Sequence, residues 1–433
     1  MCRRRISGVK RYAAALTTLV LLTVGAAPAR AAPPGDACHD PDPARPSVAA
    51  QPWAQQVLDP REVWPHSRGA GVTVAVVDSG VDADHPQLRR RGKVLPGRNF
   101  VEAGNGRGNF DCVSHGTGVA GIIGADPATG IGFHGIAPDA TILPVRITAQ
   151  DIAENGQSLR IDLAALSRGV RYAVDAGARV INLSVAGYAD FPEMRGAVRY
   201  AVSKDVVVVA AVGNRQQQDA GELPSFPAAY DGVLGVGAID IDGARASTSQ
   251  AGPYVDLVAP GAGVLTATRV AGHAYLNGTS YAAPFVSATA ALVRSAWPDL
   301  TAPEVVQRLM ATASPARGGA NSHEYGAGVV NPYRAVTDGL DLSAPAALPA
   351  YVPVPPDEDA LAETAWRDRA GTVATVAAVA IIGAIALALI VGVTVPRGRR
   401  RRWRPAMATP LPDRHAVVEP PEQMFLVDDG HAR

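Results

Sequence analysis

GVTVAVVDSG (Gly71–Gly80) decides how the rest of the chain is read. Its valine-rich run is too short for a helix. It is also too uniformly apolar for a strand with one wet face, so it reads as a strand covered on both sides. ARVINLSV (Ala178–Val185), VVVVAAVGN (Val206–Asn214) and GVLGVGAID (Gly232–Asp240) have the same character. Between them, LRIDLAALSRGVRYAVDAGA (Leu159–Ala178) and FPEMRGAVRYAVSK (Phe191–Lys204) space their apolar residues as helices do. Strand and helix in alternation predict an α/β fold, a parallel sheet covered by helices on both faces. In such sheets functional groups gather at the carboxyl ends of the strands.

Three polar residues draw notice there. Asp78 ends the first strand, where a carboxylate is costly unless partnered; it either caps a turn or carries chemistry. His115 opens SHGTGVAGIIGA, a helix start whose glycines leave space before the ring; it is either a structural histidine or a base. Ser280 lies in NGTSYAAP (Asn277–Pro284), just before the apolar run FVSATAALV. Small residues and a proline suit a plain loop. They equally suit a nucleophile at the first turn of a helix, where amides and dipole favour developing negative charge. His85 in DADHP has the look of a second base but lies on a surface turn and is given no role. GNGRGNF (104–110) is glycine-rich without the strand-to-helix phosphate pattern and reads as a loop.

The order Asp, His, Ser separates this arrangement from the other two common triad orders. VVDSGVDADHP around Asp78, HGTGVAGII around His115 and NGTSYAAPFVSA around Ser280 together resemble the subtilisin-like serine proteases, from about residue 70 to 340. The resemblance implies Ser280 as nucleophile, His115 as its base and Asp78 as the group orienting the imidazole. Asn214 matches the family's oxyanion asparagine, acting with the Ser280 backbone N–H. INLSVAG resembles the strand that pairs with bound peptide, so Ser184, Val185 and Ala186 are expected to line the primary pocket. Subtilisins usually show Leu-Gly where this chain has Val185-Ala186, which leaves the pocket's shape open. No cofactor is implied, and no CxxC or HxxxH spacing offers a metal site.

Outside the protease-like stretch the charges are uneven. The 40 basic and 40 acidic residues cancel, but residues 1–11 and 397–404 hold five and six basic residues and no acid. What lies between is mildly acidic, which gives nucleic-acid binding no support. Arg3, Arg4, Arg5, Lys10 and Arg11 precede the apolar stretch Ala13–Val24, with small residues at Ala29–Ala32. This predicts a secretory signal over 1–32, the alternative being an uncleaved anchor. Residues 33–70 form an N-terminal extension and 71–340 the protease domain. A Pro/Ala-rich linker covers 341–370, a membrane span 371–395 and a tail 396–433. Thr372–Val395 has no charge, and the arginines after it put the tail in the cytoplasm and the protease outside. Cys2 leaves with the signal. Cys38 and Cys112 remain, an even pair in an oxidising compartment that suggests one disulfide, or else two buried thiols.

This layout resembles the mycosins, membrane-anchored subtilases of type VII secretion systems. In that family the extension wraps the protease and is disulfide-linked to a loop near the active site, an arrangement Cys38 and Cys112 fit. Gly187 stands where many mycosins carry a further cysteine beside the INLS strand. The resemblance implies an endopeptidase that acts on exported proteins or peptides at the membrane surface. The alternatives are a structural subunit docked on secretion-channel proteins, with proteolysis secondary, and a membrane-tethered subtilase unrelated to type VII secretion.

Overall fold

A computed structural model of the chain describes Cys38 and residues 41–101, 106–149, 162–216, 222–319, 322–340 and 358–400. The signal expected at 1–32, most of the expected linker and the tail beyond 400 lie outside the described residues. The chain divides into two compact units, Met1–Pro345 and Ala346–Arg433.

In the first unit, α1 (Trp53–Leu58) and α2 (Pro60–Val63) lead into β1 (Thr73–Asp78) and β2 (Arg98–Asn99). Then come α3 (His115–Gly124), β3 (Thr141–Arg146), α4 (Leu163–Asp175), β4 (Val180–Leu183), α5 (Pro192–Ser203) and β5 (Val207–Ala211). β6 (Val233–Ile239), β7 (Leu257–Pro260), β8 (Val264–Ala267) and β9 (His273–Leu276) follow. α6 (Thr279–Ala296), α7 (Ala302–Ala311) and α8 (Pro332–Thr337) complete the unit. Strands β2-β3-β1-β4-β5-β6-β7 form one sheet whose paired strands all run parallel, while β8 and β9 form a separate antiparallel pair.

The expected α/β architecture is present, and its cause is legible residue by residue. Side chains of a strand alternate between faces. Val74, Val76, Val207, Val209, Leu234 and Val236 join a core with residues of α3 and α6. Their neighbours Ala75, Val77, Val208 and Ala210 join a second core with Val170 and Ala173 of α4 and Ala197, Val198 and Ala201 of α5. Both faces are dry, so the strands need no polar alternation. The small residues of α6 bring its backbone close to the sheet, and Thr279–Arg294 are all buried.

The extension is built into this unit. The Asp42 amide donates to the Cys112 carbonyl at 3.0 Å, the Arg45 amide to Ala271 O at 3.0 Å and the His273 amide to Pro46 O at 3.1 Å. Further along, the Trp53 and Trp64 indoles donate to Gly263 O and Ile136 O at 2.9 and 3.0 Å. Cys38 and Cys112 are bonded, with S–S 2.04 Å, as the even cysteine count suggested. The Val48 amide donates to His273 Nδ1 at 3.2 Å, and His273 Nε2 faces Gln87 Oε1 at 2.8 Å. Those contacts require a neutral ring with the proton on Nε2. Burial favours the same state, lowering the His273 pKa to about 4. His85, a buried neighbour 6.3 Å from the His273 ring, is lowered for the same reason.

In the second unit, α9 (Glu358–Arg400) contains one stretch, Arg369–Arg400, long and apolar enough to cross a membrane. The helix starts 13 residues before the span expected at 371. EDALAETAWRDRA (358–370), read as linker, is made largely of strong helix formers and continues the apolar helix. Pro396 sits inside its last turns.

Candidate active site

β1 delivers Asp78 at its carboxyl end, wholly buried. His115 is the first residue of α3 and is 2 % exposed. Its Nδ1 lies 2.7 Å from Asp78 Oδ1, which also accepts from the Ser79 amide at 2.7 Å. A carboxylate that holds Nδ1–H leaves the other ring nitrogen, Nε2, as the basic one. α3 can come this close only because residue 116 is glycine. A Cβ there would stand 2.1 Å from Gly80 O and 3.1 Å from Asp78 Oδ1.

Ser280 enters from the other side as the second residue of α6, 8 % exposed. The Tyr281 ring, next along the helix, lies 5.3 Å from the His115 ring. The Ser280 hydroxyl donates to the Ser184 carbonyl at 3.1 Å. To give its proton to His115 it must first leave that carbonyl, a tightening common when a free site takes up substrate. Pro284 has no N–H, so within the helix the Ser280 carbonyl loses its usual donor four residues on. Ser184 Oγ replaces it, donating to Ser280 O at 2.7 Å. Asn182 Nδ2 donates to Ser184 Oγ at 2.9 Å, and Ser287 Oγ to Asn182 Oδ1 at 2.8 Å. This buried chain of neutral groups ties β4 to α6.

Asn214 follows β5. Its Oδ1 accepts from the Thr279 amide at 2.9 Å and the Thr279 hydroxyl at 3.1 Å, while Gly213 N donates to Thr279 Oγ1 at 3.0 Å. With the oxygen end tied to Thr279, the amide NH₂ lies at the opposite end, beside Gly278. A Cβ at residue 278 would come within 3.0 Å of Asn214 Nδ2, so Gly278 (φ 137°) keeps that space open.

The structure therefore brings Asp78, His115, Ser280 and Asn214 to the carboxyl ends of β1, β4 and β5 and the starts of α3 and α6. The expected pocket residues divide. Ser184 and Val185 are buried with their side chains turned in, Ser184 onto the Ser280 carbonyl and Val185 into the core of the α4–α5 face. Ala186 is half-buried beside Gly213. Cys112 sits three residues before His115. Four supports went unread in the sequence: Ser79, Asp111, Thr117 and Thr279. Only their place beside a motif residue marks them.

Residues 69–328 match the Subtilase family, Peptidase_S8. Mycosin-1 of Mycolicibacterium smegmatis is 35% identical over 415 residues, covering 82% of this chain and 86% of the relative. The crystal structure of MycP1 from Mycobacterium smegmatis superposes with TM-score 0.61 at 34% identity, covering 70% of this chain and 89% of that one. A chain in the structure of the periplasmic assembly from the ESX-5 inner membrane complex matches with TM-score 0.61 at 32% identity, over 73% and 91% of the two chains.

Proposed function

The chain belongs to the subtilase family of serine proteases and is similar to its mycosins, and from that premise we propose how its residues divide the work. Asp78, His115 and Ser280 are the catalytic triad. The observation that carries this is the buried 2.7 Å contact of Asp78 with His115 on the helix start that faces Ser280's own. His115 Nε2 takes the proton of Ser280 Oγ as that oxygen bonds to the scissile carbonyl carbon. Asn214 Nδ2 and the Ser280 amide stabilise the oxyanion. The imidazolium then returns the proton to the departing amine, leaving an acyl-enzyme. Water enters by the same route, and the acid leaves. The Ser184–Ala186 backbone receives the substrate as an added strand.

The wider reading is a membrane-anchored, extracytoplasmic endopeptidase acting on proteins exported by a type VII secretion system. Its layout is signal 1–32, extension 33–70, protease 71–340, linker 341–370, span 371–395 and cytoplasmic tail 396–433. The apolar stretch of α9 and the arginines at its end support the anchoring and the orientation. The likeness to a chain of the ESX-5 assembly favours a second role, as a structural partner of channel subunits. A fluorophosphonate is expected to label Ser280, and His115→Ala to abolish labelling; labelling that survives the change defeats the triad. Export measured in Ser280→Ala and deletion strains separates the two roles. Equal defects mean that proteolysis is the function, and a defect confined to the deletion means scaffolding.

A further inference from the structure

We propose that Asp111 is a positioning residue of the active site. It is a second buried carboxylate that fixes the Asp78–His115 pair through Ser79 and Thr117, and its charge favours the imidazolium. This rests on the triad reading above.

Asp111 is 2 % exposed and gathers four donors. Oδ1 accepts from Ser79 Oγ at 3.0 Å and Val113 N at 3.1 Å. Oδ2 accepts from Thr117 N at 2.9 Å and Thr117 Oγ1 at 2.7 Å. Two of these donors are backbone amides that cannot reverse. Both hydroxyls also accept an amide from elsewhere, Ser79 Oγ from Gly116 at 2.9 Å and Thr117 Oγ1 from Asp82 at 3.0 Å. Every contact therefore suits an ionised acceptor.

The connections converge on the reacting pair. Ser79 gives its amide to Asp78 and its hydroxyl to Asp111. Gly116 and Thr117, the two residues after His115, are held by Ser79 and by Asp111. The turn that carries Asp78 and the helix start that carries His115 thus share one carboxylate as anchor. A plain helix cap would need one acceptor for one amide, a task a neutral side chain performs. Burying a carboxylate is costly and pushes the Asp111 pKa up, an effect its donors oppose.

Charge adds a second role. Around Asp111 and His115 stand Asp78 on β1, Arg146 on β3, Asp82 in the turn after β1, and Arg269 between β8 and β9, with the Tyr281 ring against His115. Arg146 Nε donates to the Ser79 carbonyl at 3.1 Å, and Arg269 Nε to the Asp111 carbonyl at 2.9 Å. Without the Asp111 charge, Asp78 and Asp82 are the carboxylates that remain beside these two guanidiniums, and charging the imidazole becomes harder.

Inactivation by a fluorophosphonate, and kcat and KM on a peptide substrate, are measured against pH for the full-length protein, Asp111→Asn and Ser79→Ala. Asp111→Asn is expected to lower kcat about 10-fold with KM unchanged, and to move the acid limb of the profile to lower pH by roughly half a unit to one unit. Ser79→Ala keeps the charge. It should lower the rate without moving the acid limb, and the double change should cost less than the product of the two. An acid limb left in place by Asp111→Asn, or multiplicative losses in the double variant, overturns the proposal. If Asp111→Asn does not fold, Ser79→Ala decides, since a wild-type kcat there removes the link. Activity surviving His115→Ala instead strikes the triad reading itself.

Discussion

The two sides of the active site are held by different chemistry. On the β1–α3 side, ionisable groups meet in a dry interior: Asp78, His115 and Asp111, with Arg146 of β3 bonded to the adjoining turn. On the β4–α6 side, Ser280 is held by hydroxyls, carbonyls and a carboxamide, from Ser287 through Asn182 and Ser184. Buried charges are costly to misplace, so the first side has one arrangement and reaches it before substrate arrives. Neutral hydrogen bonds are cheaper to exchange. The second side leaves its reactive hydroxyl on a neighbouring carbonyl, ready to turn. Orientation is thus built into the acid–base pair, and movement is left to the nucleophile.

The contrast can be attacked from its charged end first. Asp78→Asn removes the charge and presents an NH₂ where the ring needs an acceptor, so kcat is expected to fall about 10⁴-fold while the fold persists. Steady-state kinetics on a peptide substrate, with a thermal melt as control, measure it. A loss under tenfold means that the charge does little to orient the ring. Next comes the polar reach of the other side. Asn214→Ala should lower kcat about 10²- to 10³-fold with little change in KM, a size taken from the corresponding loss in a subtilisin. A rise in KM at constant kcat means instead that Asn214 binds substrate and transition state alike. The smallest effect tests the neutral scaffold. Ser184→Ala orphans the Ser280 carbonyl beside Pro284 and should cost about 1–3 kcal/mol, read as a lower melting temperature. An unchanged melting temperature means that the chain from Ser287 to Ser280 holds nothing.

The reacting residues and the groups that support them were not equally legible in the sequence. Asp78, His115, Asn214 and Ser280 sit in compact local motifs, and the strands under them are valine runs that admit one reading. The valines of β5 leave no polar face to expose. What supports them was hidden because its partners are far apart in the chain. Asp111 meets Ser79 across 32 positions and His273 meets Gln87 across 186. His85, set aside as a surface turn residue, is buried against Gly272 O at 3.4 Å across 187. Ser184 and Val185 were expected at the pocket because their strand suits a peptide backbone. Strand alternation does not reveal that Pro284 creates a vacancy for the Ser184 hydroxyl. β8 and β9, four residues each, are too short to show a period.

The Cys38–Cys112 bond has a consequence for anyone following this protein on a gel. The two cysteines are 74 positions apart, so the bond closes a covalent ring that contains the whole described extension. A single cut within that ring opens it without releasing a fragment. On a non-reducing gel a nicked chain would run close to the position of the intact one, while a reducing gel would resolve two bands. Maturation of this protein, if it proceeds by trimming between residues 41 and 70, would therefore go unseen wherever thiols are left out of the sample buffer.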